Sequence, residues 1–97
     1  MKKGKPTKGN NARFYKAVLT LENDKDCKMF FDDLLTESEI KAITQRLQIA
    51  QMLDEGETFA EINKATGASS ATITKINHVL KTGNKGLRLA LDRMKEE

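Results

Sequence analysis

The segment Gly67–Gly83, GASSATITKINHVLKTG, combines serines, threonines, lysines and the chain's one histidine in an order suited to contact with nucleic acid. At about 100° per residue, Ile73, Ile76 and Leu80 fall on one side of a helix, and Ala71, Thr74, Lys75 and His78 fall on the other. Small residues near the helix start let its backbone enter a major groove. A threonine there offers a hydroxyl or a methyl to a base edge, and a lysine reaches guanine or phosphate. Ser69 or Ser70 caps this helix, and its free N-terminal amides favour phosphate oxygens. Lys64 just before it and Lys81 near its end add salt-sensitive attraction. An ordinary solvated helix face has the same polar character, so the residues alone leave both readings open.

Other chemistry is sparse. His78 and Cys27 are the only histidine and cysteine and lie far apart, which supports neither a metal cluster nor a nucleophile and base pair. The acidic pairs Asp32-Asp33 and Glu37-Glu39 belong to helix ends, where they complement the dipole. No glycine-rich stretch matches a phosphate cradle. No enzyme is expected, and no metal or cofactor.

Six helices must position these residues. Phe14, Ala17, Val18 and Leu21 predict a short first helix ending near Glu22-Asn23-Asp24. A second runs from Asp24 to Leu35, where Met29, Phe30, Phe31, Leu34 and Leu35 cover about half the circumference and call for two packing partners. Thr36 and Glu39 form a capping box that opens a long helix to about Asp54, stopped at Gly56. Its apolar residues make two stripes, Ile40, Ile43, Leu47, Ala50 and Leu53, and Ala42, Ile49 and Met52. Two stripes fit a shared dimer core or a central helix inside a monomer. A second capping box, Thr58 and Glu61, opens a helix through Ile62 and Ala65 that stops at Gly67-Ala68. The helix that follows reaches Leu80 or Lys81 and is broken at Gly83-Asn84. Leu87, Ala90, Leu91 and Met94 predict a last amphipathic helix. Short helix, glycine turn and second helix over about 58–81 make a helix-turn-helix plan.

With 97 residues, four Phe, one Tyr and no Trp, the composition fits an all-α chain and bounds it to one small core, which favours dimerisation. The formal charge is +3, and Lys2, Lys3, Lys5 and Lys8 crowd the start. Residues 1–12 are expected to be a flexible basic arm, and 13–97 a single helical domain for DNA binding and dimerisation. No window approaches a membrane span, and a lone cysteine excludes an internal disulfide, so the reducing cytoplasm is the expected location.

From Leu34 to Leu91 the chain resembles the Trp repressor family. The resemblance is carried by LLTESEIKAITQRLQIAQMLDEGETFAEI and GASSATITKINHVLK: the Leu-Leu-Thr start, Arg46 ten residues after Thr36, the Gly-Glu pair closing the long helix, and the Gly-Ala to Ala-Thr-Ile-Thr segment. It implies an intertwined homodimer whose two reading helices enter major grooves about one turn apart on a pseudo-palindrome. By matching position, Ser70, Ala71, Thr72 and Thr74 face bases or their waters, and Lys81 faces phosphate.

The resemblance also implies an effector pocket formed by Thr36, Arg46, Thr72, Lys75, Ile76 and Val79. Tryptophan-responsive relatives hold the indole between two arginines beside a glycine and a serine. Arg46 keeps the first arginine, but Lys75 stands at the second, Ile76 at the glycine and Val79 at the serine. Lysine lacks the planar guanidinium that stacks on a ring. Ile76 fills space the indole needs, and Val79 removes a hydroxyl, so tryptophan affinity is expected to fall by about a hundredfold or more. Any small-molecule co-repressor is then a different compound. The motif is one residue shorter between Gly56 and Gly67 than in those relatives, so phosphate contacts at Phe59, Ala60 and Asn63 do not carry over, and Lys64 stands in. The resulting expectation is a sequence-specific DNA-binding transcriptional regulator, a repressor acting as a homodimer. The alternative is a helical dimeric protein-interaction module without DNA-binding activity.

Overall fold

A computed structural model describes residues 8–96, and among them the chain is six helices with no strand. They are α1 (Gly9–Leu19), α2 (Asp24–Leu34), α3 (Glu37–Asp54), α4 (Phe59–Thr66), α5 (Ser70–Thr82) and α6 (Gly86–Lys95). Most of the expected arm, residues 1–7, lies outside the described residues, and its last residues, 9–12, form the first turn of α1. The expected single domain over 13–97 divides into two compact units, one ending at Glu37 and one beginning at Ser38.

The first unit holds α1 and α2. Leu21, expected in the first helix, lies beyond it: the Thr20 hydroxyl donates to the Ala17 carbonyl at 2.6 Å and closes the helix there. Asn23 then caps α2, its side chain accepting from the Asp26 amide at 2.9 Å, while the Glu22 amide donates to the Asp26 carboxylate at 3.1 Å. The Phe14 ring meets Tyr15 and stacks over Phe30, and Phe30 meets Phe31 edge-on. Even so, neither helix contains a buried residue.

The second unit owns the core. Ile49, Ala50, Ile62, Ala68, Ile73, Ile76 and Leu91 are buried, and Leu47, Met52, Leu53, Leu80 and Leu87 pack against them half-buried. Ile49, Ile62 and Ile73 are closed off completely, and each such side chain contributes about 1.5–3 kcal/mol of apolar burial. Both expected stripes of α3 feed this core, but only from Leu47 onward. Ala42 and Ile43, a turn or more earlier, are exposed.

The capping box of α4 is formed: the Thr58 amide donates to Glu61 Oε1 at 2.7 Å, and Thr58 Oγ1 accepts from the Glu61 amide at 3.1 Å. α6 is fastened to the end of α3 through Asp54, which receives Arg88 Nη1 at 2.7 Å and Lys95 Nζ at 2.6 Å. These cations, Lys95 first, hold the Asp54 carboxyl below the usual carboxylate range.

Candidate nucleic-acid interface

The helix-turn-helix is α4, the Gly67–Ser69 turn and α5. Gly67 sits at φ +74°, a left-handed conformation that a side chain would oppose. The turn is tied on three sides. Asn63 Nδ2 donates to the Ala68 carbonyl at 2.7 Å, and Gln45 Nε2 of α3 donates to the Thr66 carbonyl at 3.0 Å. Thr66 Oγ1 donates back to the Ile62 carbonyl at 2.8 Å and accepts from the Ala68 amide at 3.1 Å. Ala68 is buried within this lattice, so α5 leaves α4 at a set angle rather than on a loose tether.

Of the two candidate caps, Ser69 is the one used. Its hydroxyl oxygen accepts from the Thr72 amide at 3.2 Å and its proton goes to Thr72 Oγ1 at 3.2 Å. α5 then runs to Thr82, one residue past the expected end. Ile73 and Ile76 turn into the core, while Ser70, Ala71, Thr74, Lys75, His78 and Lys81 are exposed. Lys64 of α4 is exposed, and Thr72 is half-buried at the edge of the outward face. Thr82 Oγ1 donates to the His78 carbonyl at 2.8 Å and lies 3.2 Å from His78 Nε2. Asn63 holds the turn with its side chain, so it is taken up inside the motif.

Beside α5 lies a concavity of about 390 Å³ lined by Arg46, Thr72, Lys75, Ile76, Val79 and Leu87. Five of the six residues expected in an effector pocket therefore share one site; Thr36 belongs to the first unit. Ile76 is 7% exposed and anchored in the core, and it forms one wall of this concavity. Arg46 and Lys75 bring two cations to an otherwise largely apolar lining, an arrangement able to hold an anionic group on an apolar body.

Sequence reasoning placed Leu87 on the apolar side of the last helix but not at the concavity, and it did not find Gln45 or the Asp54, Arg88 and Lys95 cluster. Leu87 lies four residues before the core residue Leu91, a helical repeat that marks it as inward-facing. Arg88 and Lys95, seven residues apart on one helix, carry the corresponding signal for a shared acidic partner.

The family profile described as Trp repressor protein matches residues 10–95. YerC of Bacillus subtilis (strain 168), an uncharacterised protein, is 44% identical over 84 residues, spanning 87% of this chain and 81% of its own length. A crystal structure from Staphylococcus aureus, provisionally described as a Trp repressor, is 42% identical with a TM-score of 0.87, covering 100% of this chain and 97% of that one. A TrpR-like protein from Eubacterium eligens ATCC 27750 is 35% identical with a TM-score of 0.85, covering 91% of this chain and 92% of that one.

Proposed function

Since the chain belongs to the Trp repressor family, whose members are DNA-binding regulators and not enzymes, we propose that it represses transcription as a homodimer by occupying a pseudo-palindromic operator in the cytoplasm. The observation that carries this reading is the two-sidedness of α5. Its inward side holds Ile73 and Ile76 in the core, and its outward side offers Ser70, Ala71, Thr74, Lys75 and His78, small enough at the start to approach bases and cationic further on. Lys64 and Lys81 flank it as phosphate contacts.

Dimerisation is supported by the first unit, where two helices carry Phe14, Tyr15, Leu19, Met29 and Leu34 exposed and bury nothing. Two helices that expose this much large apolar side chain without a core of their own call for a partner surface. A second copy supplies it with a partner and places two α5 helices for two half-sites.

Tryptophan is not the effector in this reading. Lys75 cannot stack as a guanidinium does, and Val79 offers no hydroxyl. Isothermal calorimetry with tryptophan is expected to show no micromolar binding, and operator affinity is expected to be the same with and without it.

The deciding experiment is selection of bound duplexes from random DNA by the purified protein. The expected result is enrichment of one pseudo-palindrome, with affinity falling steeply as salt rises. Equal affinity for every duplex, or none, would overturn the proposal and leave a protein-interaction module as the better reading.

A further inference from the structure

α5 is supported unevenly. On one side it packs on α4, with Ile73 and Ile76 in the core. On another, Thr72, Lys75, Ile76 and Val79 border the concavity of about 390 Å³ that they share with Arg46 of α3 and Leu87 of α6. A helix face without packed atoms against it forgoes dispersion contacts. Leu87 of α6 lines the same gap and packs against the core cluster to which Ile73 and Ile76 of α5 belong.

Leu87 goes where α6 goes, and α6, whose Leu91 is buried in the core, is also held by one carboxylate at two points. Arg88 follows Leu87 directly and reaches Asp54 at 2.7 Å, and Lys95 reaches the other oxygen of Asp54 at 2.6 Å. Those two residues are about two helical turns apart, so the grip fixes both the height of α6 and its rotation about its own axis. Arg88 also bonds Asp92 on its own helix at 3.3 Å, which keeps the guanidinium aimed at α3. The Asp54 side chain is only 12% exposed, well shielded for a group making ion pairs on a small protein. The turn that joins α5 to α6 includes Lys85 at φ +71°, a conformation a lysine adopts only under constraint from its surroundings.

We propose that Asp54 is a positioning residue for the reading helix: by gripping Arg88 and Lys95 it sets where α6 carries Leu87, and Leu87 sets how α5 leans over the concavity and presents Ser70, Ala71, Thr74 and Lys75. The proposal rests on the DNA-reading role of α5 for its functional consequence, but the mechanical link from Asp54 to α5 stands apart from it. The link is internal and operates with the concavity unfilled.

The test compares the full-length wild type with Asp54→Asn, Asp54→Glu and Leu87→Ala by amide hydrogen exchange and by affinity for the selected duplex. In Asp54→Asn and Leu87→Ala, amides of α5 from Thr74 to Val79 are expected to exchange about three- to thirtyfold faster while those of Ile62–Thr66 in α4 hold their rates. The duplex Kd rises by a similar factor, and Asp54→Glu recovers most of both effects. Equal acceleration in α4 and α5, which is what plain destabilisation produces, or no change in α5, overturns the proposal even if the wild type binds DNA well. Should Asp54→Asn fail to fold, Lys95→Met, which releases one of the two grips on Asp54, is read in its place beside Leu87→Ala, with the same expected and overturning outcomes. A wild type that selects no duplex removes the DNA reading, and the link is then judged on exchange rates by themselves.

Discussion

Thr74 and Lys75 are neighbours on the exposed side of α5, yet they ask different things of a duplex. An ammonium group meets phosphate or guanine mainly as a point charge. Replacing Lys75 by Ala is therefore expected to weaken binding nearly uniformly across sequences and to make the dependence of log K on log salt shallower by about one, as measured by titration at several salt concentrations. Thr74 presents a hydroxyl and a methyl, so Thr74→Ala is expected to relax preference at one base position by about 1–3 kcal/mol in a comparison of duplexes differing at that position. If both variants bind every duplex as the wild type does, the exposed side of α5 is not the reading surface. These residues were legible in the sequence because helical periodicity sorts inward from outward side chains. Gln45 and Asn63 were not, since an amide that donates to a single carbonyl across a turn leaves no periodic trace.

Among the elements, the helix-turn-helix depends on a left-handed Gly67 and on the Thr58 capping box. Gly67→Ala forces a Cβ into a backbone region that L-residues oppose, and is expected to lower stability by about 1–2 kcal/mol. Thr58→Ala leaves an amide at the start of α4 without its side-chain acceptor, at about 1 kcal/mol. Urea denaturation followed by circular dichroism checks both; a midpoint unchanged in either variant contradicts the local account. The start of α4 and the stops after α3 and α4 were readable because caps and left-handed glycines are chemical requirements of a helix end. The boundary between α1 and α2 was less so: Asn23 looks like a helix terminator, and its action as a cap depends on Asp26 turning back toward Glu22.

For the whole molecule, two features govern behaviour in solution. Asp54 joins α6 to α3, and its carboxyl titrates below the usual range because Lys95 and Arg88 stabilise the charged form. The sign follows from that direction. Its contribution is fully present above the unfolded-state value of about 4, and it is lost as acid brings the pH down through the lower folded-state value. Thermal melts of the wild type are expected to fall more steeply below about pH 4 than those of Asp54→Asn, which has no carboxylate to protonate; parallel curves would contradict the link. The first unit exposes apolar side chains, Leu19 at 83%. On the proposed homodimer, Leu19→Lys is expected to shift the molecule toward monomer in sedimentation at micromolar concentration, with the helix content of the second unit retained. The six helices were visible to a reading of periodicity. The division at Glu37 was not, because a count of apolar residues does not say which of them find partners within the chain.

Gly83 ties two of these properties together. A Cβ there would lie 2.6 Å from the Val79 carbonyl oxygen and 3.1 Å from Val79 Cγ1, closer than atoms tolerate, so any other residue must shift the backbone at Gly83 or at Val79 to be accommodated. Val79 is also part of the concavity wall. Where α5 stops and what shape the neighbouring hollow takes are therefore not free to vary independently. A library randomised at Gly83 should return variants in which the last turn of α5 and the wall of the hollow change together.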